Sequence, residues 1–183
     1  MEKIILGIDP GTNIMGYSVI RTTKSKIELV VMDVLKLDKL SNQSLKLNKI
    51  FETTLRIIDS YHPDFLAIEA PFVGKNIQSA LKLGRAQGVS MAAAFYRSVP
   101  VTEYLPRKIK QSITGSGSAS KEQIAAMVAR MVQIPEPTKC FDATDALAVA
   151  ICHYLQKDII DTGEKYSGWG RFLVENPGRV VKS

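Results

Sequence analysis

The sequence predicts an α/β domain: a five-stranded mixed sheet flanked by helices. Three observations carry that expectation. Ile4-Ile5-Leu6-Gly7-Ile8 is a short apolar run closed by Asp9-Pro10-Gly11, the pattern of a buried strand that ends at a carboxylate. Two aliphatic runs follow it before residue 37, separated by turn residues. The apolar period then changes to that of a helix, and a second carboxylate-ended run, Phe65-Leu66-Ala67-Ile68-Glu69, comes after the helix.

In chain order, residues 4–9, about 15–22 and about 26–36 read as three strands. The third is rich in aliphatic and β-branched residues, with Ile27, Leu29, Val31, Val34 and Leu35. Pro10-Gly11 and Thr23-Lys24-Ser25-Lys26 are the turns between them, so the three should form an antiparallel meander. From Ser44 to Tyr61, Leu45, Leu47, Ile50, Phe51, Leu55, Ile57 and Ile58 fall largely on one helical stripe, and His62-Pro63-Asp64 stops it. The strand 65–69 follows a long helix, so it should lie parallel to the first strand through a crossover. Asp9 and Glu69 would then emerge at the same end of neighbouring strands, where open α/β sheets bind ligands.

Residues 70–76 read as a loop. Ser79 to Arg97 is a second helix with Ala80, Gly84, Ala86, Gly88, Ala92, Ala93 and Ala94, small residues that let another element or another subunit approach its backbone. Val99 to Tyr104 is a fifth strand. Pro106 opens the basic segment Arg107-Lys108-Ile109-Lys110-Gln111, and Thr114-Gly115-Ser116-Gly117-Ser118 reads as a flexible link. Ser120 to Val132 is a helix with Ser120 as N-cap and Gln123 three residues on. Phe141 to Gln156 is a strong helix whose first turn projects Asp142 and Asp145 from one face. Residues 1–157 form the expected domain; 158–183, interrupted by Gly163, Gly168, Gly170, Pro177 and Gly178, read as a tail that is at best partly ordered.

Composition narrows the function. The 183 residues are 45% hydrophobic and 23% charged, enough for one domain with a core. No apolar run approaches a membrane span, and no signal peptide precedes the first strand, which points to a cytoplasmic protein with free thiols at Cys140 and Cys152. With only His62 and His153, a zinc cluster is not expected, and any metal should be a hard cation on carboxylates. The net charge is +6. From Asp158 onward, four basic residues balance four acidic ones, so the whole excess lies in the first 157 residues and favours a polyanionic partner.

Three separate elements therefore deliver acids: Asp9 and Glu69 at strand ends, and Asp142 with Asp145 on a helix. A single acid in such a place caps a turn or a helix; four converging acids repel one another unless divalent cations neutralise them. Such a set fits two ions activating a water for phosphodiester hydrolysis, or Mg²⁺ holding a nucleotide phosphate. His153 lies on nearly the same helical face as Asp142 but ~16 Å further along, which suits a hydrogen-bonded structural histidine better than a ligand of the same site.

The motifs Ile5-Leu6-Gly7-Ile8-Asp9-Pro10-Gly11-Thr12, Ala67-Ile68-Glu69 with Phe72 and Lys75-Asn76, Ser79-Ala80-Leu81-Lys82-Leu83-Gly84, Lys110-Gln111, Gly117-Ser118-Ala119-Ser120-Lys121 and Asp142-Ala143-Thr144-Asp145-Ala146-Leu147-Ala148 resemble, in order and from about residue 3 to 156, the RuvC family of bacterial Holliday-junction resolvases, which are RNase H-like nucleases. The resemblance implies a homodimer that binds a four-way DNA junction and nicks two strands symmetrically near the crossover, using two Mg²⁺ ions per site, with Mn²⁺ as a substitute. It also implies cooperation with a branch-migration complex of the RuvA-RuvB type. The family's catalytic and metal-binding acids fall on Asp9, Glu69, Asp142 and Asp145. Its junction-contacting aromatic falls on Phe72 and two DNA-contacting lysines on Lys110 and Lys121. Lys75 and Asn76 join them as expected DNA contacts, with Lys82, Arg85, Arg107 and Lys108 as weaker candidates. Residues from 158 on do not follow the family's common pattern. The rival readings are a junction-binding scaffold without chemistry, an RNase H-like nuclease acting on RNA, and an actin-like ATPase, which would need a second such domain.

Overall fold

A computed structural model describes residues 2–71, 76–132, 134 and 141–156. Its elements run β1 (Lys3–Asp9), β2 (Ile14–Thr22), β3 (Ile27–Lys36), α1 (Gln43–Tyr61), β4 (Phe65–Glu69), α2 (Ile77–Tyr96), β5 (Val101–Tyr104), α3 (Pro106–Thr114), α4 (Lys121–Met131) and α5 (Phe141–Leu155). The strands form one sheet in the order β3-β2-β1-β4-β5. β1, β2 and β3 make the antiparallel meander expected of them, and β4 and β5 add in parallel.

Strand periodicity divides the core into two layers. Ile5, Ala67 and Tyr104 face α3, α4 and α5, packing with Ile109, Ile113, Ile124, Val128, Leu147 and Ile151. Leu6, Ile8, Leu66 and Ile68 face the opposite way and pack with Ile50, Ile57 and Ile58 of α1 and Ala86 and Ala94 of α2. Asp64 joins the start of β4 to β1, its carboxylate accepting from the Ile4 N–H at 2.8 Å and from Lys3 Nζ at 3.2 Å. His62 ends α1 in the left-handed region at φ 47°, its N–H donating to the Ile58 carbonyl at 2.8 Å.

One segment that the sequence left without an element is settled here, and another differs from expectation. The basic stretch after Pro106 is a helix, because proline suits its first turn and Ile109 and Ile113, four residues apart, bury against the core while Arg107 and Lys108 stay exposed. The expected flexible link is a bonded turn. Gly115 caps α3 at φ 78°, Ser116 N–H donates to Thr114 Oγ1 at 3.2 Å, and the Ser116 and Ser118 hydroxyls lie 3.1 Å apart. The tail 158–183, Phe72, Lys75 and Cys140 lie outside the described residues.

Candidate active site

Residues 5, 7 and 9 of β1 point toward α5, as do 65, 67 and 69 of β4. The parallel register pairs Ile8 with Ile68, so Asp9 and Glu69 stand level at the ends of adjacent strands on the same face. On the other side of β1, Asp9 pairs with Gly16 of β2. α5 then lies directly on this part of the sheet. A Cβ on Gly16 would collide with the Asp142 carbonyl oxygen, and one on Gly7 with the Ala146 carbonyl oxygen and, at 2.8 Å, with the Ala150 side chain. Missing side chains at 7 and 16, opposite Ala146 and Ala150, let the helix carrying Asp142 and Asp145 settle over the strand carrying Asp9.

A pocket of about 150 Å³ results, lined by Asp9, Glu69 and Asp145 with Lys110, Lys121, Ile109 and Ile124. That is below the ~300 Å³ at which small-molecule sites begin, which disfavours a site built to enclose a nucleotide. Asp142 stands outside the lining, yet its charge acts on Asp9. Burial raises Asp9 from 3.8 to about 8, and repulsion from Glu69, Asp145 and Asp142 adds to the rise. Burial, then Asp145, raises Glu69 from 4.5 to about 7. The donor set is oxygen-only and mutually repelling, which fits a hard divalent cation. Among the described residues no three acids close on a single point, so a cation there would draw the carboxylates together.

The two lysines sit within this pocket. Lys121 Nζ meets Asp145 Oδ2 at 2.6 Å. It is the first residue of α4, where positive charge opposes the helix dipole, and Asp145 offsets that penalty. The Ser120–Gln123 capping box fixes this start: Gln123 N–H donates to Ser120 Oγ at 3.3 Å and Ser120 N–H to Gln123 Oε1 at 2.9 Å. Lys110 Nζ donates to the Ala119 carbonyl at 2.9 Å, and its charge acts on Glu69. Asn76 caps α2, accepting from Ser79 N–H at 3.1 Å. His153 is fully buried, with Nδ1 2.9 Å from the Tyr104 hydroxyl and its ring against Phe65, as expected of a structural histidine. Strand ends pointed to Asp9 and Glu69, and helical spacing to Asp142 and Asp145. Neither signal reached Gly7, Gly16 or Gln87, the last of which donates to Glu103 Oε2 at 2.7 Å and sits 3.5 Å from the Glu69 carbonyl. Glycine inside a strand was the available signal for the first two.

The profile of a family described as "Crossover junction endodeoxyribonuclease RuvC" matches residues 5–153. The chain belongs to the RuvC family. A Bacteroides fragilis relative of that name is 57% identical, with 98% of this chain and 96% of the relative covered. One from Christiangramia forsetii is 52% identical over 98% and 93%. The solved structure of Thermus thermophilus RuvC in complex with Holliday junction substrate superposes with TM-score 0.80 at 30% identity, covering 86% of this chain and 96% of that one. The fold is therefore RNase H-like, and the protein is a metal-dependent nuclease that hydrolyses phosphodiester bonds.

The raised acids make stability depend on pH and metal. Between their ordinary and folded values, Asp9 and Glu69 bind more protons in the folded state, so stability falls as pH rises. His153, lowered by burial from 6.5 to about 4, acts in the opposite sense below 6.5. From about pH 6.5 to 8 the two acids outweigh His153, whose effect fades by about pH 7.5. The melting temperature in EDTA should fall across it, Mg²⁺ should restore more at the upper end, and Asp9→Asn should flatten the slope. A rising melting temperature in EDTA over the same window would contradict this account.

Proposed function

We propose that this nuclease resolves four-way DNA junctions by paired symmetric nicks, with Asp9, Glu69, Asp142 and Asp145 as its catalytic and metal-binding residues. The observation that carries the reading is one pocket lined by Asp9, Glu69 and Asp145, from two strand ends and one helix, beside Lys110 and Lys121, with the charge of Asp142 acting on Asp9. When bound, two Mg²⁺ ions, or Mn²⁺ in their place, activate a water and neutralise the leaving oxygen of the phosphodiester. The acids hold the ions at the C-terminal ends of the inner strands β1 and β4. Lys110 and Lys121 draw a phosphate toward them, Lys121 exchanging Asp145 for DNA. Asn76, besides capping α2, follows Phe72 and Lys75 closely in the chain, and the three are proposed to meet the junction, with Phe72 stacking on a base. The nuclease domain spans 1–157, and the protein works in the bacterial cytoplasm with a RuvA-RuvB type complex.

The dimer is proposed to form through α2. Ile77, Leu81 and Phe95 are 66%, 53% and 59% exposed on one stripe of this helix, and an added Cβ at Gly84 or Gly88 would meet nothing within 4 Å. A second copy packing there would present two active sites to symmetry-related strands. Leu81→Glu should convert the dimer to a monomer in analytical ultracentrifugation and abolish paired nicking. An unchanged sedimentation coefficient would move the interface elsewhere. Among the described residues no helix is long and apolar enough to cross a membrane.

The function itself is tested with a synthetic mobile junction and a matched duplex, each with Mg²⁺ and with EDTA. Paired, Mg²⁺-dependent nicks in the junction alone are expected. Equal cutting of the duplex would refute the substrate assignment.

A further inference from the structure

Lys46, in the first turn of α1, reaches the turn that carries Asp9. Its Nζ donates to the Thr12 carbonyl oxygen at 2.9 Å and to Asn13 Oδ1 at 3.0 Å. From the other side, the Leu37 N–H donates to the Asn13 carbonyl at 2.7 Å, and Leu37 is fully buried. The turn has little slack, since a Cβ on Gly11 would overlap the Ile14 carbonyl oxygen. At its base stands the Asp9–Gly16 pair. The segment from Pro10 to Met15 is thus closed below by a proposed metal ligand and tied near its tip to α1 and to the end of β3.

Lys46 Nζ bonds residues 12 and 13, three and four positions beyond Asp9. Its hold on the site runs through the backbone. A lysine also suits this place chemically: an ammonium has three donors in rotatable geometry, and two of them meet two acceptors that face the same point.

We propose that Lys46 is a positioning residue for the metal site, clamping residues 12 and 13 so that the Asp9 carboxylate stands where a cation can use it. The proposal rests on Asp9 as a metal ligand. Its weight comes from the tolerance of such sites, where outer groups that orient a ligand change metal affinity about 10–100-fold when removed.

The test is single-turnover cleavage of a four-way junction titrated with Mg²⁺, beside junction binding in EDTA, for wild type, Lys46→Met, Lys46→Arg, Asn13→Ala, the double variant Lys46→Met with Asn13→Ala, and Asp9→Asn. Lys46→Met should raise the Mg²⁺ concentration for half-maximal cleavage about tenfold. Its junction binding in EDTA should match wild type, and Lys46→Arg should recover most of the shift. Asn13→Ala should show a smaller rise, and the double variant should be no worse than Lys46→Met alone, because both remove one clamp. Wild-type Mg²⁺ dependence in Lys46→Met overturns the proposal. So does an EDTA binding loss that accounts for the lost cleavage, which would make Lys46 a phosphate contact. If Lys46→Met does not fold, Asn13→Ala decides, and wild-type Mg²⁺ dependence there overturns it. Cleavage by Asp9→Asn would instead refute the assignment of Asp9.

Discussion

Asp9→Asn should abolish junction cleavage at every Mg²⁺ concentration while leaving junction binding in EDTA intact. The side chain keeps its shape and loses its charge. Of the acids shifted by their surroundings, Asp9 is the one raised furthest, to about 8, because it is buried and then repelled by Glu69, Asp145 and Asp142. Asparagine withdraws a charged ligand from the cation, whereas in the cation-free protein Asp9 is already largely protonated at neutral pH, so the exchange changes little there. Metal ions supply several kcal/mol of transition-state stabilisation in such reactions. At about 1.4 kcal/mol per decade, cleavage should fall roughly 10³-fold or more. Binding should not follow it down, since without metal a neutral asparagine replaces a carboxyl that is already largely neutral. A single-turnover assay beside a gel-shift titration in EDTA separates the two. Cleavage within a few fold of wild type would remove Asp9 from the reaction.

Gly16→Ala should be nearly as damaging, although Gly16 carries no chemistry. It pairs with Asp9 across β1 and β2, and its missing side chain is the space that the Asp142 carbonyl occupies. The obstacle is backbone, not the far end of a flexible side chain, so relief requires the N-terminal turn of α5 to lift. Overpacking of this kind destabilises by about 1–3 kcal/mol. The larger effect is on the site, because lifting that turn carries Asp142 and Asp145 away from Asp9. A misplacement of ~1 Å can lower a rate about 10²-fold. Well below its melting temperature, the folded variant should bind junction DNA and cut it about a hundredfold more slowly. Higher Mg²⁺ should recover part of the rate. Wild-type cleavage would mean that α5 can shift without moving its acids.

Much of this site is legible in the order of residues. Each strand that ends in a carboxylate announces itself by a contiguous apolar run, and period-two alternation together with a right-handed crossover brings Asp9 and Glu69 to one end of the sheet. Asp142 and Asp145 share a helical face because they are three residues apart. The Ser120–Gln123 capping box follows from local chemistry alone. Each of these signals spans only a few residues of chain, where propensity and periodicity act directly.

What escaped the sequence depends on contacts between distant segments. The basic run after Pro106 stands out in the sequence only by its charge, and burying Ile109 and Ile113 against α4 and α5 is what makes it helical. Lys121 reads as a surface lysine awaiting phosphate, but its partner in the folded chain is Asp145, 24 residues away. Lys46 gives no local sign of a role, and meets the Asp9 turn only because α1 packs beneath the sheet. Local patterns of residues thus set the order of elements, the acids and the end of the sheet where they gather. Packing between elements sets how closely α5 approaches Asp9, which lysine neutralises which acid and what holds the Asp9 turn. Those are matters of ångströms between segments far apart in the chain, and no short stretch of sequence encodes them.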